Sequence, residues 1–342
     1  MAVHNCRAII ITKVPYANLG DKQVAARLYG DKKHGQSWYA VQTVRGLVQA
    51  SGRGMRSRED FCQCVAPATR VLTTDLRWVS AESLRVGDGI LGFEDAASRE
   101  SPRHWRNAVV EATGVKILPR IRIVLASGSE LIATPEHKWV SRSGQQQDHR
   151  WVASVDLRPG HSLCRFVTPW DESRTWETGW LSGFFDGEGC LSLGIGKRNP
   201  TVTQVSVSQK PTQTLVQCVQ LLSKLGFKTR LKKSTGSAYN GFILGGLAEQ
   251  MRFLGQIRPM RLLDKFTASP RERRLIAIAN DQVVLVEPLE AGPMVTLQSS
   301  TGTYMAEGYG AHNTYILDGE FDRLWKEWKG LFPSWWTEAL KL

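Results

Sequence analysis

The 342-residue sequence has no run of about 18 apolar residues, so no helix in it can cross a membrane. Its start, MAVHNCRAIIITKVPYANLGD, has an apolar patch but neither a basic n-region nor a small-residue cleavage site, so no secretory leader is read and a cytoplasmic chain is expected. Cysteine is scarce: Cys6, Cys62, Cys64, Cys164, Cys190 and Cys218 form no C-x-x-C pair and lie near no histidines at zinc spacing. The C-x-C of Cys62 and Cys64 offers two ligands, short of a structural zinc site. Disulfides are not expected in a reducing compartment, so one reactive cysteine among inert ones is the better expectation. There is also no G-x-x-x-x-G-K-[ST] loop, which argues against ATPase activity in this chain.

What the chain does have is positive charge: 44 Lys and Arg against 32 Asp and Glu, a formal +12, which favours a polyanionic partner such as nucleic acid. The length suffices for two or three domains, each with its own core. Residues 1–63 read as a β-branched strand, AIIITKVPY, a polar helical stretch, and then a helix whose apolar face is Tyr39, Val44, Leu47 and Val48, broken at Gly52 and Gly54. From Cys64 the texture becomes short strands between turn residues. Near Thr175 it changes to a helix ending in GWLSGFFDGEG, two strands, a second helix, two more strands, and two basic helices. Strands return at DQVVLVEPLE and again at PMVTLQSSTGTYMAEGYGAHN, and a Trp-rich amphipathic tail follows. There is no internal repeat. The order α/β, β, α+β, β, α/β reads as an insertion within an insertion.

At the first seam, CVAPATRVLTTD opens with a cysteine, LRVGDGILG carries a G-D strand pair, ATPEHKWV has the T-x-x-H spacing, and TYMAEGYGAHN ends in His312–Asn313 followed by Thr314. Four such blocks in this order resemble the inteins, over residues 64–313. The resemblance implies autocatalytic protein splicing without a cofactor. Cys64 would take the acyl group of Gln63 as a thioester, a step for which a thiol is the most nucleophilic side chain near neutrality. His137 would protonate the departing Cys64 nitrogen and Thr134 would hold the strained amide. Thr314 would attack the thioester, and Asn313 would cyclise with His312 polarising its carbonyl. Inteins often carry Asp or Cys where Thr296 aligns, which puts the rate of branch formation in question.

The inner stretch LSGFFDGEG, residues 181–189, resembles the LAGLIDADG signature of homing endonucleases. That implies a helix packed on its twin, with Gly183 allowing close approach. Glu188 would be the metal-binding acid and Asp186 the acid just before it, holding Mg²⁺ to activate water. Gln209 and Lys265 match the family's active-site glutamine and lysine. Lys197, Arg198, Lys210, Arg230, Lys232 and Lys233 would meet phosphates or base edges of double-stranded DNA in the major groove. A single motif implies a homodimer through this helix. A decayed domain that binds DNA without cutting it is the alternative.

Residues 1–63 joined to 314–342 resemble the C-terminal motor lobe of DinG-like and XPD-like DNA helicases. QASGRGMRS matches their last motif, in which Arg53 and Arg56 would reach the ATP phosphates. ATP would serve only the intact host helicase, with its nucleotide-binding part on another chain. A helicase carrying an inert insertion is the rival reading.

The expected architecture is mixed and multidomain: an all-β Hint horseshoe (64–170 and 276–313), an α+β LAGLIDADG domain of αββαββα order (171–275), and flanking fragments of a RecA-like α/β lobe (1–63 and 314–342).

Overall fold

The computed structural model describes residues 16–52, 63–95, 103–142, 149–193, 203–234, 237–268 and 273–313. The chain divides into two compact units, one ending at Phe61 and one starting at Cys62.

In the first unit, α1 (Lys22–Gly30) starts at Asp21, whose carboxylate accepts the Gln23 amide at 2.8 Å. Helix α2 (Gly35–Gly52) stops at the glycine where the sequence reads a break. Tyr39 on α2 stacks on Tyr16 and donates its hydroxyl to the Ala17 carbonyl at 2.8 Å. Most of the strand expected at residues 8–16 lies outside the described residues.

The second unit is built on a large antiparallel sheet. Its early strands are β1 (Cys64–Val65), β2 (Arg70–Leu72), β3 (Trp78–Ser80), β4 (Gly89–Phe93), β5 (Trp105–Leu125), β6 (Glu130–Ala133), β7 (Lys138–Arg142), β8 (His149–Ala153) and β9 (Ser162–Arg165). A second group follows: α3 (Trp176–Glu188), β10 (Gly189–Ser192), β11 (Gln204–Gln209), α4 (Gln213–Lys224), β12 (Thr229–Lys233), β13 (Tyr239–Ile243), α5 (Leu247–Ile257) and α6 (Met260–Ala268). The chain then returns to the large sheet as β14 (Ala279–Ser299), β15 (Thr303–Ala306) and β16 (Tyr309–His312). The strand path of the large sheet is β3-β2-β15-β16-β7-β9-β14-β1-β6-β5-β4, with β8 on β7.

Two features organise that sheet. Strands β5 and β14, 21 residues each, pair from Val283–Leu125 to Ser299–Val110 with bulge-like shifts of register. The sequence reads two strands here because Gly292–Pro293 is a breaker pair. The structure absorbs the pair at a register shift between Leu289 and Gly292, so the ladder continues as one bent ribbon. The second feature is the two-residue turn Glu307–Gly308, with φ of 49° and 89°, which folds β15 onto β16 in the geometry that matches strand twist. A Cβ on Gly308 would lie 2.1 Å from the Val167 carbonyl oxygen, so glycine is required there. The Glu307 carboxylate accepts the Arg70 amide at 2.7 Å and its guanidinium at 2.9 Å, which ties the turn to β2.

The inner group forms its own antiparallel sheet, β10-β11-β13-β12, with the helices against one face. Alternation on β11 buries Val205 and Val207 and turns Ser206 and Ser208 outward. A reciprocal Thr175–Thr178 capping box starts α3. Phe185 of α3 packs edge-on against Phe253 of α5 at 4.7 Å, and Phe227 meets the same ring at 5.5 Å. This core does not end at the inner group. It runs through Met251, Leu254 and Phe266 to Leu72, Leu76, Leu91, Trp105 and Trp170 of the β-rich part. Gly255 is the point of closest approach: a Cβ there would lie 2.4 Å from Trp170 Nε1 and 2.5 Å from the Leu76 carbonyl oxygen. Arg258 follows, reaching the Asp75 carbonyl at 3.1 Å.

Candidate active site

Cys64 enters the middle of the large sheet. On one side it pairs with Thr296 of β14, and its neighbour Val65 pairs with Ala133 of β6 on the other, so Cys64 is fully buried. The residue after β6 is Thr134, and the two are joined reciprocally. The Cys64 amide donates to Thr134 Oγ1 at 3.0 Å, and the Thr134 amide donates to the Cys64 carbonyl at 3.0 Å. The nitrogen of the Gln63–Cys64 bond is thereby held by a hydroxyl. The Thr296 hydroxyl donates to the Gly114 carbonyl at 3.1 Å, so its proton is engaged across the ladder.

From Thr134 the chain turns through Pro135 and Glu136, and the His137 amide donates back to the Thr134 carbonyl at 3.1 Å. That turn is the physical content of the T-x-x-H spacing. The His137 carbonyl accepts from the Ser154 amide at 2.8 Å and the Ser154 hydroxyl at 3.1 Å, and that hydroxyl also accepts Trp139 Nε1 at 3.1 Å. Tyr304, Ala311 and Trp139 form a row across β15, β16 and β7. The small Ala311 leaves room between two large rings, and His137 lies 4.5 Å from Trp139 and 6.4 Å from Tyr304. Burial pushes the His137 imidazole down to about 3, helped by nearby His312 and opposed by the Gln63 main chain. It is therefore neutral near pH 7, and its ring nitrogens make no hydrogen bond of good geometry among the described residues.

Strand β16 ends at the same place. His312 Nδ1 lies 2.9 Å from the Asn313 main-chain oxygen, and since a carbonyl only accepts, the ring must donate. Asn313 is buried, with its Nδ2 donating to the Ser299 carbonyl at 3.1 Å and its amide to the Gly302 carbonyl at 3.1 Å. Two residues here escaped the sequence reading. Asp95 Oδ2 lies 3.7 Å from His312 Nε2, while its Oδ1 accepts Trp151 Nε1 at 2.7 Å, and Trp151 packs edge-on to His312 at 5.1 Å. Tyr304 is the other, fully buried beside His137. No local motif marks either one. Cys64, Thr134, His137, His312 and Asn313 therefore come together, whereas Thr314 and Cys62 lie outside the described residues.

A second constellation sits at the end of α3. Glu188 is exposed and has no partner among the described residues. Asp186 is different: its oxygens accept the amides of Met260 at 3.0 Å and Arg261 at 2.9 Å, capping α6. With both oxygens so engaged, Asp186 acts as a helix cap. Lys265 on α6 donates to the carbonyl of Leu191, three residues past Glu188, at 2.8 Å. The register sets Arg230 and Lys232 on the outward sheet face with Cys190, Ser206, Ser208 and Asn240. Gln209 and Lys233 have the opposite parity, at the sheet end, and Lys210 follows exposed. A Cβ on Gly183 would meet nothing within 4 Å, so that face of α3 is open. Lys197, Arg198, Arg53 and Arg56 lie outside the described residues. Among the described residues no group of three or more His, Cys, Asp or Glu is placed to hold a metal ion, and no helix is long and apolar enough to cross a membrane.

Two outcomes follow for stability. Between pH about 6.5 and about 3 the unfolded chain binds a proton on His137 that the folded chain does not, so the stability present above this window is lost as pH falls through it. Denaturant titrations at pH 7 and pH 5, in a Cys64→Ala/Asn313→Ala background, should show a smaller acid loss when His137 is also changed to Gln. Asp186→Ala should cost about 1 kcal/mol through loss of the α6 cap, measured in the same titration.

Comparison with known proteins adds independent findings. Residues 1–85 match the helicase C-terminal domain family, the last part of that stretch being built into the large sheet. Residues 175–258 match the LAGLIDADG-like domain family. Among solved structures, the chain is similar to the gp41-1 intein at 10% identity and a TM-score of 0.32, covering 73% of this chain and 98% of that one. It is similar to a DnaB intein from Synechocystis sp. PCC 6803 at 8% identity and a TM-score of 0.35, covering 74% and 99%. It is also similar to the MchDnaB-1 intein at 12% identity and a TM-score of 0.31, covering 73% and 99%. The chain thus carries a LAGLIDADG-like domain within a β-rich domain, in the context of a helicase C-terminal segment.

Proposed function

We propose that residues 64–313 excise themselves by protein splicing and join residue 63 to residue 314. One observation carries the reading: both bonds that must break are already engaged by groups suited to breaking them. The Cys64 nitrogen is held by Thr134, and the Asn313 carbonyl is hydrogen-bonded by His312. In the first step the Cys64 sulfur adds to the Gln63 carbonyl. Neutral His137 takes the thiol proton and returns it to the Cys64 nitrogen as the C–N bond breaks, leaving a thioester and a free amine. The Thr314 hydroxyl then displaces the thiol, giving an ester branch and restoring the Cys64 S–H. Asn313 Nδ2 attacks its own main-chain carbonyl, with His312 withdrawing charge from the oxygen, and the Asn313–Thr314 bond breaks to leave a succinimide. The freed Thr314 amine displaces the ester oxygen and forms the Gln63–Thr314 peptide bond. No cofactor takes part.

We also infer that the inner domain is a homing endonuclease acting on double-stranded DNA as a homodimer through α3. Support comes from the family match and from an outward sheet face bearing Arg230 and Lys232 with small polar residues. A lone exposed carboxylate fits Mg²⁺, which protein sites commonly bind through one or two carboxylates together with substrate phosphates. When bound, the ion supplies an activated water and charge neutralisation at the leaving oxygen. Glu188 would hold it, with Gln209 and Lys265 nearby and Arg230, Lys232 and Lys210 contacting DNA. Lys197, Arg198 and Lys233 complete the proposed DNA contacts. Arg53 and Arg56 would serve ATP only in an intact host helicase.

The two activities separate cleanly. Cys64→Ala should abolish release at residue 63 while leaving Asn313 cyclisation, whereas Asn313→Ala should stop at the ester branch, and Asn313→Ala with Thr314→Ala at the thioester, each cleaved by hydroxylamine and read by mass spectrometry. None of these changes should alter Mg²⁺-dependent cutting of the uninterrupted host gene at the insertion point. Glu188→Gln should abolish that cutting and leave splicing intact; equal cutting by this variant would remove Glu188 from its role.

A further inference from the structure

Asp95 has no part in the splicing sequence above, yet its carboxylate stands beside the ring that serves the C-terminal junction. Its Oδ2 lies 3.7 Å from His312 Nε2. The other ring nitrogen, Nδ1, donates to the Asn313 main-chain oxygen at 2.9 Å. The ring therefore faces an oxygen acceptor at each nitrogen, and both acceptors are met only when it carries two protons. A ring with two protons is a cation, and a carboxylate beside it favours that form.

Asp95 is itself held in place. Its Oδ1 accepts Trp151 Nε1 at 2.7 Å, and its main-chain oxygen accepts Arg103 Nε at 3.1 Å. Arg103 is buried, with its guanidinium over the Trp151 ring at 5.2 Å. Trp151 in turn stacks on Phe93 at 5.9 Å and meets His312 edge-on at 5.1 Å. The indole thus walls the imidazole on one side while an oxygen faces each of its nitrogens. The His312 side chain is 10% exposed and that of Asp95 47%, so water reaches the carboxylate more than the ring and screens the pair. Two further groups bear on the ring's charge: nearby His137, which is neutral near pH 7, and the Arg103 guanidinium beyond Trp151.

We propose that Asp95 is a positioning residue for Asn313 cyclisation, holding His312 with Nδ1 on the Asn313 carbonyl and favouring the ring's positive charge. In that step the bond from Asn313 Nδ2 to its main-chain carbon forms and the bond from that carbon to the Thr314 nitrogen breaks. Nδ2 loses one proton, the Thr314 nitrogen gains one, and His312 ends with the protons it began with. The carbonyl oxygen carries negative charge in passing, and a cationic donor already in place stabilises that charge more than a neutral one does. This assignment rests on the splicing reading and extends it by one residue.

The test is Asp95→Asn, which keeps an oxygen for Trp151 Nε1 and removes the negative charge. In a Cys64→Ala background, Asn313 cyclisation is followed by mass spectrometry as release of residues 314–342, between about pH 5 and 9. At pH 7 the variant should be about fivefold slower, the effect of one screened ion pair. Its rate should also fall off at a lower pH than the parent's, because the ring cation is less favoured without the carboxylate. Burial holds His137 at about 3, below this window. In an Asn313→Ala/Thr314→Ala background, thioester formation, read by hydroxylamine cleavage after Gln63, should keep its rate. An unchanged cyclisation rate and profile overturns the role of Asp95 alone. Slowing without a shift of the profile overturns it too, because that marks lost packing. Equal slowing at both junctions does the same, because that marks a distorted site. A parent chain that never cyclises overturns the splicing reading and this assignment with it.

Discussion

Strand β14 is the constraint on which the site depends. Thr296 pairs with Cys64, and three residues later the Ser299 carbonyl accepts the Asn313 side chain. Three residues of strand span roughly 10 Å, so one ladder gathers two residues that stand far apart in sequence. The ladder is rigid because β14 is paired to β5 along most of its length. The Glu307–Gly308 turn then brings β16 to the same end of the sheet, with His312 and Asn313 at its tip.

The second constraint is dryness. The imidazole of His137 is neutral because burial opposes its charge, and the same burial pushes the Tyr304 phenol above its usual range. Such a site binds its resting groups poorly: among the described residues the Tyr304 hydroxyl and Asn313 Oδ1 have no hydrogen-bond partner. Buried polar atoms left without a hydrogen bond cost stability at this site, a trade common at reactive sites. The inner domain bears on this through packing. Its helices α5 and α6 share a core with Leu72, Leu76 and Trp105, so removing it would expose apolar surface of the β-rich part.

Much of the site could be read from the sequence where chemistry is local. The T-x-x-H spacing encodes a turn, and His312–Asn313 closes a strand, so neighbouring residues define each. Tyr304 and Asp95 were illegible because their places beside His137 and His312 arise from strand pairing and loop placement across long separations. Asp186 shows a subtler limit: the motif announces an acid, but the helix it caps begins 74 residues later. The β14 ribbon was read as two strands because Gly292–Pro293 is ordinarily a break, and only the register with β5 decides that the ladder continues. The shared core was also hidden. Alternation along a strand tells which residues face inward, not which element covers them.

The central claim is that the chain cuts and rejoins itself, and intact-mass measurement of the purified wild-type protein tests it most directly. The account predicts two products. One is residues 64–313 with a C-terminal aminosuccinimide, and the other is a single peptide in which Gln63 is joined to Thr314. A chain that stays at its full uncleaved mass after prolonged incubation under folding conditions would contradict it.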